Sequence, residues 1–214
     1  MKLKLDLHVH TSYSYDSLIA PEHLIFYAKK RGLDGVAITD HDTMDGTSEV
    51  PSAHDFLVIP GIEISSLYGH IIGLNVKEKV PPNLGVQETV DRIHKAGGLA
   101  IACHPLSLFR ERITGFITAD FDAIEVLNSS SFPFVYSVNY SQRIASRLEL
   151  PSVGGSDAHY GPEIGRGYTV VQSESRIDSV IQAIKNGLCS PHGEAIPLRT
   201  RLKREILSLK KKMG

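Results

Sequence analysis

The chain has 214 residues, 42% of them hydrophobic and 22% charged, with a formal net charge of −1. That is enough to bury one substantial core, and the composition excludes long disorder. Two cysteines, Cys103 and Cys189, cannot build a disulfide framework, and no apolar run approaches the ~20 residues of a membrane helix. Met1 to Leu7 is too short and polar for a signal peptide, so a cytoplasmic protein is expected.

Short apolar strands alternate with helical patterns along the chain, and one domain over residues 1–214 is expected. Leu3 to Val9 reads as the first strand, followed by a helix from Pro21 to Arg31 with Pro at its start and Gly32 at its end. The second strand, 35–39, leads into Asp40-His41-Asp42. The third, 56–62, leads into Glu63, and the fourth covers 70–74. After Pro81-Pro82 come a helix over 86–96 and a fifth strand, 99–103, which leads into His104. A sixth strand at 123–127, a helix at 138–148 and a seventh strand at 152–154 follow, the last leading into Asp157 and His159. A short strand at 167–171 and a helix at 177–185 complete the series.

Strict alternation of this kind favours an α/β barrel, a distorted (β/α)7 TIM-like one, over an open sheet. No glycine fingerprint of a dinucleotide fold follows the first strand, and no phosphate-loop motif is present. The tail, 199–214, carries seven basic residues against Glu205 alone. Leu202, Ile206, Leu209 and Met213 recur with a helical period, so it reads as a basic amphipathic helix. Its basic face is either simply solvated or a contact for phosphates.

A lone His-x-His carries little weight in a chain with ten histidines. The position of the clusters carries more: most fall where a strand ends, which is where an α/β barrel places its chemistry. Residues i and i+2 on a strand face the same way, so His8 pairs with His10 and Asp157 with His159. Barrel closure would bring the two pairs together. Imidazole and carboxylate donors suit Zn²⁺, Mn²⁺ or Fe²⁺. Cys103 adjoins His104 on a strand, so its side chain is expected on the opposite face as a buried filler.

His-Val-His-Thr, Thr-Asp-His-Asp, Gly-Ile-Glu-Ile-Ser, Gly-His-Ile-Ile-Gly, Cys-His-Pro and Gly-Ser-Asp-Ala-His stand in this order. Together they resemble the PHP (polymerase and histidinol phosphatase) superfamily. The resemblance is greatest to its RNase AM-like nucleotide phosphoesterases, without their large inserted domain. It implies three divalent metals at the C-terminal ends of the barrel strands. His8, His10, Glu63 and Asp157 would hold the first. Glu63 would bridge to a second, held also by His70 and His104, and Asp16, His41 and His159 would hold a third.

The implied activity is hydrolysis of a phosphorylated small molecule, nucleotide or short oligonucleotide by a hydroxide shared between cations. Glu63, Asp157, His159 and Asp42 are the catalytic candidates, with His159 or Asp42 protonating the leaving oxygen. Asp42 and Asp6 are candidates to orient metal-bound histidines. Arg166 is the first candidate phosphate-binding cation, followed by Arg110 and Arg112. Histidinol phosphatase, C–N hydrolysis and a non-catalytic metal- or nucleic-acid-binding module are the alternatives.

Overall fold

A computed structural model describes residues 1–106 and 113–213, with side chains through Lys211. Nine strands form one sheet: β1 (Lys2–Val9), β2 (Gly35–Ile38), β3 (Leu57–Ser66), β4 (Gly69–Leu74), β5 (Leu99–Ala102), β6 (Ala123–Asn128), β7 (Ser152–Gly155), β8 (Gly167–Gln172) and β9 (Cys189–Gly193). Their order is β7-β6-β5-β4-β3-β2-β1-β8-β9. An isolated bridge between Val9 and Ala158 brings the two ends of the seven-stranded array together. The result is a nearly closed, TIM-like α/β barrel, as the alternation of strands and helices predicts.

Six helices accompany the strands: α1 (Pro21–Lys30), α2 (Asp45–Glu49), α3 (Val86–Lys95), α4 (Phe134–Leu148), α5 (Ile177–Lys185) and α6 (Leu198–Met213). Pro21 opens α1 with its φ already helical, and Gly32 closes it at φ +69°, where a side chain would be strained. Helix α4 begins four residues earlier than its sequence suggests, and α2 and β9 have no clear sequence signal.

The strict alternation of parallel strands with helices fails at the β3–β4 connection. β3 and β4 form an antiparallel hairpin with no helix between them, and β4 is antiparallel to β5 as well. The start of β4 therefore lies at the end of β3, so His70, at the beginning of its strand, belongs to the same mouth as Glu63.

One apolar cluster takes residues from each of β1 to β8, among them Leu5, Ala37, Ile59, Ile72, Ile101, Ala123, Val153 and Val171. This is the barrel interior, and Val180, Ala183 and Ile184 of α5 join it. The outer faces of β3 to β6 pack against α3 and α4 through residues such as Ile64, Val90, Ile93 and Ile144. Leu24 and Ala28 of α1 pack against Val36 and Ile38. Each fully buried Leu or Ile in these layers contributes about 1.5–3 kcal/mol relative to exposure.

The candidate metal centre

In β1 the apolar interior residues are Leu3, Leu5 and Leu7, so simple alternation would leave His8 outside. The register with β2 shifts between Asp6 and Val9, and this irregularity turns His8 and His10 into the mouth. The segment after β7 docks directly on this strand end. His10 N–H donates to Ala158 O at 3.0 Å, and Asp157 N–H donates to His8 O at 2.9 Å. The two dyads separated by about 150 residues in sequence are thus neighbours, as barrel closure requires. Gly155 is needed beside them, because any side chain there would strike His8.

All nine candidate ligands converge on Glu63, directly or through one neighbour. Glu63 is fully buried, and its two oxygens serve different groups. Oε1 lies 2.9 Å from His70 Nδ1 and 2.9 Å from His104 Nε2. Oε2 lies 3.2 Å from His10 Nε2, 3.1 Å from His41 Nδ1 and 3.4 Å from His8 Nε2. Asp157 Oδ1 stands 3.6 Å from His8 and 3.4 Å from His10. At the rim Asp16 Oδ2 is 3.1 Å from His159 Nε2 and 3.7 Å from His41 Nε2. The mouth therefore brings the candidates into overlapping donor groups, among them His10, His41 and His159; His8, His10 and Glu63; His8, His104 and Asp157; and His41, Glu63 and His70.

These distances fit a shared cation. With metal–N and metal–O bonds of ~2.0–2.2 Å, two ligand atoms on one tetrahedral ion stand ~3.4 Å apart, and ~2.9 Å apart at right angles. Several of the close approaches also lack hydrogen-bond geometry. Glu63 Oε2, Asp16 Oδ1 and His159 Nε2 are buried with no hydrogen bond, although imidazole or carboxylate atoms surround them. A buried carboxylate oxygen without a bond is costly, and a divalent ion would satisfy it. His8, His10 and Glu63, or His41, Glu63 and His70, can each place their ligand atoms within 4.8 Å of one another. The residues fit a multinuclear site.

The electrostatics agree. Burial works against charge on His8, yet Glu125, Asp157 and Glu63 raise its imidazole well above the usual range. Burial likewise opposes charge on His10, but Asp157 and Glu63 bring it up to about 9. Glu63 is held well below the usual carboxylate range against its burial, chiefly by His70 and His8. His159 is lowered by burial and by the neighbouring His10. These carboxylates and imidazoles already attract opposite charge without a cation.

Glu125, which the sequence does not single out, is part of the site. Its Oε1 lies 3.0 Å from His8 Nδ1, and its Oε2 accepts His104 N–H at 2.9 Å and Asn128 Nδ2 at 2.9 Å. Asp40 has a similar place: Ser14 Oγ donates to it at 2.7 Å and contacts His10 Nδ1 at 3.0 Å. A carboxylate behind an imidazole fixes the ring and its basicity. The Glu125 signal lay in strand phase, since β6 places it at the mouth only once its register is known.

Other expectations are corrected. Cys103 shares the interior phase of Leu99 and Ile101, and its Sγ faces Glu63 Oε1 at 3.5 Å. It is His104 that leaves the strand phase, through a φ of +29°. Asp157 and Asp42 also have positive φ, both +54°, so three residues at this mouth hold strained backbone. Asp42 does not orient a histidine: its carboxylate accepts Ser65 N–H and Oγ–H at 2.8 and 2.9 Å. Asp6 accepts backbone N–H groups of Ser156, Gly165 and His8, so it fixes loops instead of a ring, and burial pushes its carboxyl up to about 6. Arg166 pairs with Glu194. Arg110 and Arg112 lie outside the described residues.

The basic helix α6 is oriented opposite to a simple closing helix. Its apolar stripe, Leu202, Ile206 and Leu209, is exposed, and basic residues face the barrel. Arg201 donates to Ser129 O and Ser130 O after β6, and Arg204 to the Glu163 carboxylate after β7. Lys211 donates to Ser17 O after β1. Glu163 in turn accepts the His159 N–H at 3.0 Å. The helix therefore runs along the three loops that follow β1, β6 and β7. None of the described helices is long and apolar enough to cross a membrane.

The chain belongs to the PHP family, and its fold is that of solved PHP-like proteins. A family profile described as PHP-associated matches residues 139–189. An uncharacterised protein of Methanocaldococcus jannaschii, MJ1587, is 38% identical over 141 residues, covering 59% of this chain and 82% of that one. The 5′-3′ exoribonuclease Rnm of Salmonella typhimurium is 40% identical over 83 residues, which is 33% of this chain and 27% of that enzyme. Among solved structures, a two-domain protein of Bacteroides vulgatus containing a PHP-like metal-dependent phosphoesterase superposes with a TM-score of 0.71 at 19% identity. The match covers 91% of this chain and 65% of that one, and it shows the shared fold.

Proposed function

We propose that the chain is a metal-dependent phosphoesterase that hydrolyses phosphate esters of nucleotides or short oligonucleotides. The observation that carries this reading is the division of the Glu63 carboxylate. One oxygen belongs with His70 and His104, and the other with His8, His10 and His41. Such a carboxylate is suited to hold two cations side by side. Divalent Mn, Fe or Zn bound there would supply Lewis acidity toward phosphate oxygens and a water of lowered pKa.

In this reading His8, His10, Glu63 and Asp157 hold one metal, Glu63, His70 and His104 a second, and Asp16, His41 and His159 a third. Glu125 and Ser14 keep His8 and His10 in their rotamers. Asp42 braces the end of β3 through Ser65, and in this role it is not the proton donor. Arg166 is neutralised by Glu194, so among the described residues the cations offered to a phosphate chain are those of α6. Lys203 and Lys210 lie exposed on that helix beside the mouth. The exoribonuclease among the relatives supports a nucleotide substrate over the part of the chain it matches.

The test is incubation of the Mn²⁺-loaded protein with a short 5′-phosphorylated oligonucleotide and mass spectrometry of the products. Release of 5′-mononucleotides supports an exonuclease, and loss of the terminal phosphate alone supports a phosphatase. An unchanged substrate, with an unchanged panel of nucleotides and L-histidinol phosphate, would refute the phosphoesterase reading.

A further inference from the structure

We infer that the cleft between the β6–α4 loop and the start of α6 is a base-binding subsite. It takes the aromatic base of a nucleotide ligand whose phosphate lies at the metal centre. Only the phosphate end of this assignment rests on the phosphoesterase reading.

The cleft has a volume of about 800 Å³, and Phe132, Phe134, Tyr136, Ile196 and Leu198 form its apolar walls. Asn139 and Arg201 supply polar groups at its margin. Tyr136 is 59% exposed and Leu198 72%, so large apolar surfaces stand open to solvent where no buried core requires them. The walls are fixed in place. The Arg201 guanidinium binds Ser129 O and Ser130 O of the loop, each at 2.9 Å, and Ile196 O of the opposite wall at 3.1 Å. A preformed, mostly apolar cleft with a few polar groups is the usual form of a small-ligand site.

Its position points to the occupant. Ser131, also in the lining, donates its N–H to Asn128 O at 3.1 Å. Asn128 Nδ2 reaches Asp157 Oδ2 at 3.3 Å and Glu125 Oε2 at 2.9 Å. Three residues of chain span at most ~11 Å, so the cleft begins close to Asp157, a candidate metal ligand, and to Glu125 behind His8. A sugar would leave its hydroxyls against apolar walls, which costs hydrogen bonds. A flat heteroaromatic ring fits aromatic and aliphatic walls, and stacking accepts any base. Arg199 and Lys203, exposed on the same helix, complement phosphates on either side of such a base.

The test uses adenosine, which has no phosphate, and ribose as probes in saturation-transfer NMR with the metal-loaded protein. Adenosine is expected to bind with saturation of its ring protons, and ribose to bind far more weakly. Tyr136→Ala should weaken adenosine about tenfold, while Tyr136→Phe, which keeps the ring, should retain it. Metal content and circular dichroism should be unchanged in both variants. Absence of adenosine binding, equal binding of ribose, or equal affinity in Tyr136→Ala would overturn the subsite. So would a wild-type dimer that Tyr136→Ala converts to a monomer in sedimentation, since a second copy would then fill the cleft. If adenosine binds as expected but no phosphate ester is cleaved, it is the phosphoesterase reading that fails.

Discussion

His8 and Glu125, 117 positions apart, meet at 3.0 Å between Nδ1 and Oε1, and both are buried. Glu125 also takes the backbone N–H of His104, so one carboxylate positions ligands assigned to two different metals. Glu125→Gln should therefore weaken metal binding about 10–100-fold with the fold intact. Competition with a chromophoric chelator measures this, and an unchanged affinity would remove Glu125 from the positioning role.

Glu63→Ala removes the carboxylate that both donor groups share. Turnover should be lost and bound metal reduced, with the circular dichroism spectrum of the barrel retained. Near-normal metal content by elemental analysis would contradict the bridging role.

Metal loading should release protons. Asp157 and Glu63 bring the His10 imidazole up to about 9 against its burial, so it carries a proton at pH 7, and Glu125, Asp157 and Glu63 raise His8 in the same direction. A cation needs His10 neutral, so binding displaces its proton, and apparent affinity should fall about tenfold per pH unit below about 9. Calorimetry in buffers of different ionisation enthalpy counts the protons. A count of zero at pH 7 would refute the assignment.

Charge reversal on the exposed side of α6, Lys203→Glu with Lys210→Glu, should raise KM for an oligonucleotide several-fold and leave that for a small phosphate ester unchanged. The difference should shrink in high salt. Equal effects on both substrates would mean that the helix acts through the fold.

Cys189 is half-buried, and burial moves its thiol from 9.0 up to about 11. The stability from keeping it protonated is complete below about 9 and disappears as pH rises toward about 11. Alkylation by iodoacetamide should be slow at pH 8 and rise only above about 10. Fast labelling of Cys189 at pH 8, identified by mass spectrometry, would show that the thiol is not buried in solution.

Eight of the nine strands and most helices are legible as short apolar or periodic runs, several bounded by Gly or Pro, and most of the candidate ligands because they stand at the ends of those runs. What escaped depended on long-range register. Glu125 has no local distinction from any strand carboxylate; only the pairing of β6 with β5 and β7 aims it at His8. Cys103 joins His104 on the Glu63 side instead of taking the opposite face because His104 has a positive φ, which no neighbouring glycine announces. Arg166 reads as a phosphate ligand until Glu194 arrives directly after β9, a strand whose sequence, Cys-Ser-Pro-His-Gly, has no β pattern. In α6 the period was clear but not which face meets the barrel, since Arg201 and Arg204 are held by carbonyls and a carboxylate that the helix itself does not contain.

The reversed direction of β4 also governs how this architecture can be elaborated. Helical crossovers return the chain to the far end of the barrel before the next strand begins. The β3–β4 turn, Leu67-Tyr68, instead stays at the metal face, with Tyr68 stacked on Phe116 at 4.1 Å between ring centres. Residues inserted between Leu67 and Tyr68 would rise over the candidate metal centre, leaving its donors where they are. A cover that narrows the choice of substrate can thus be acquired at a two-residue turn, independently of the chemistry beneath it.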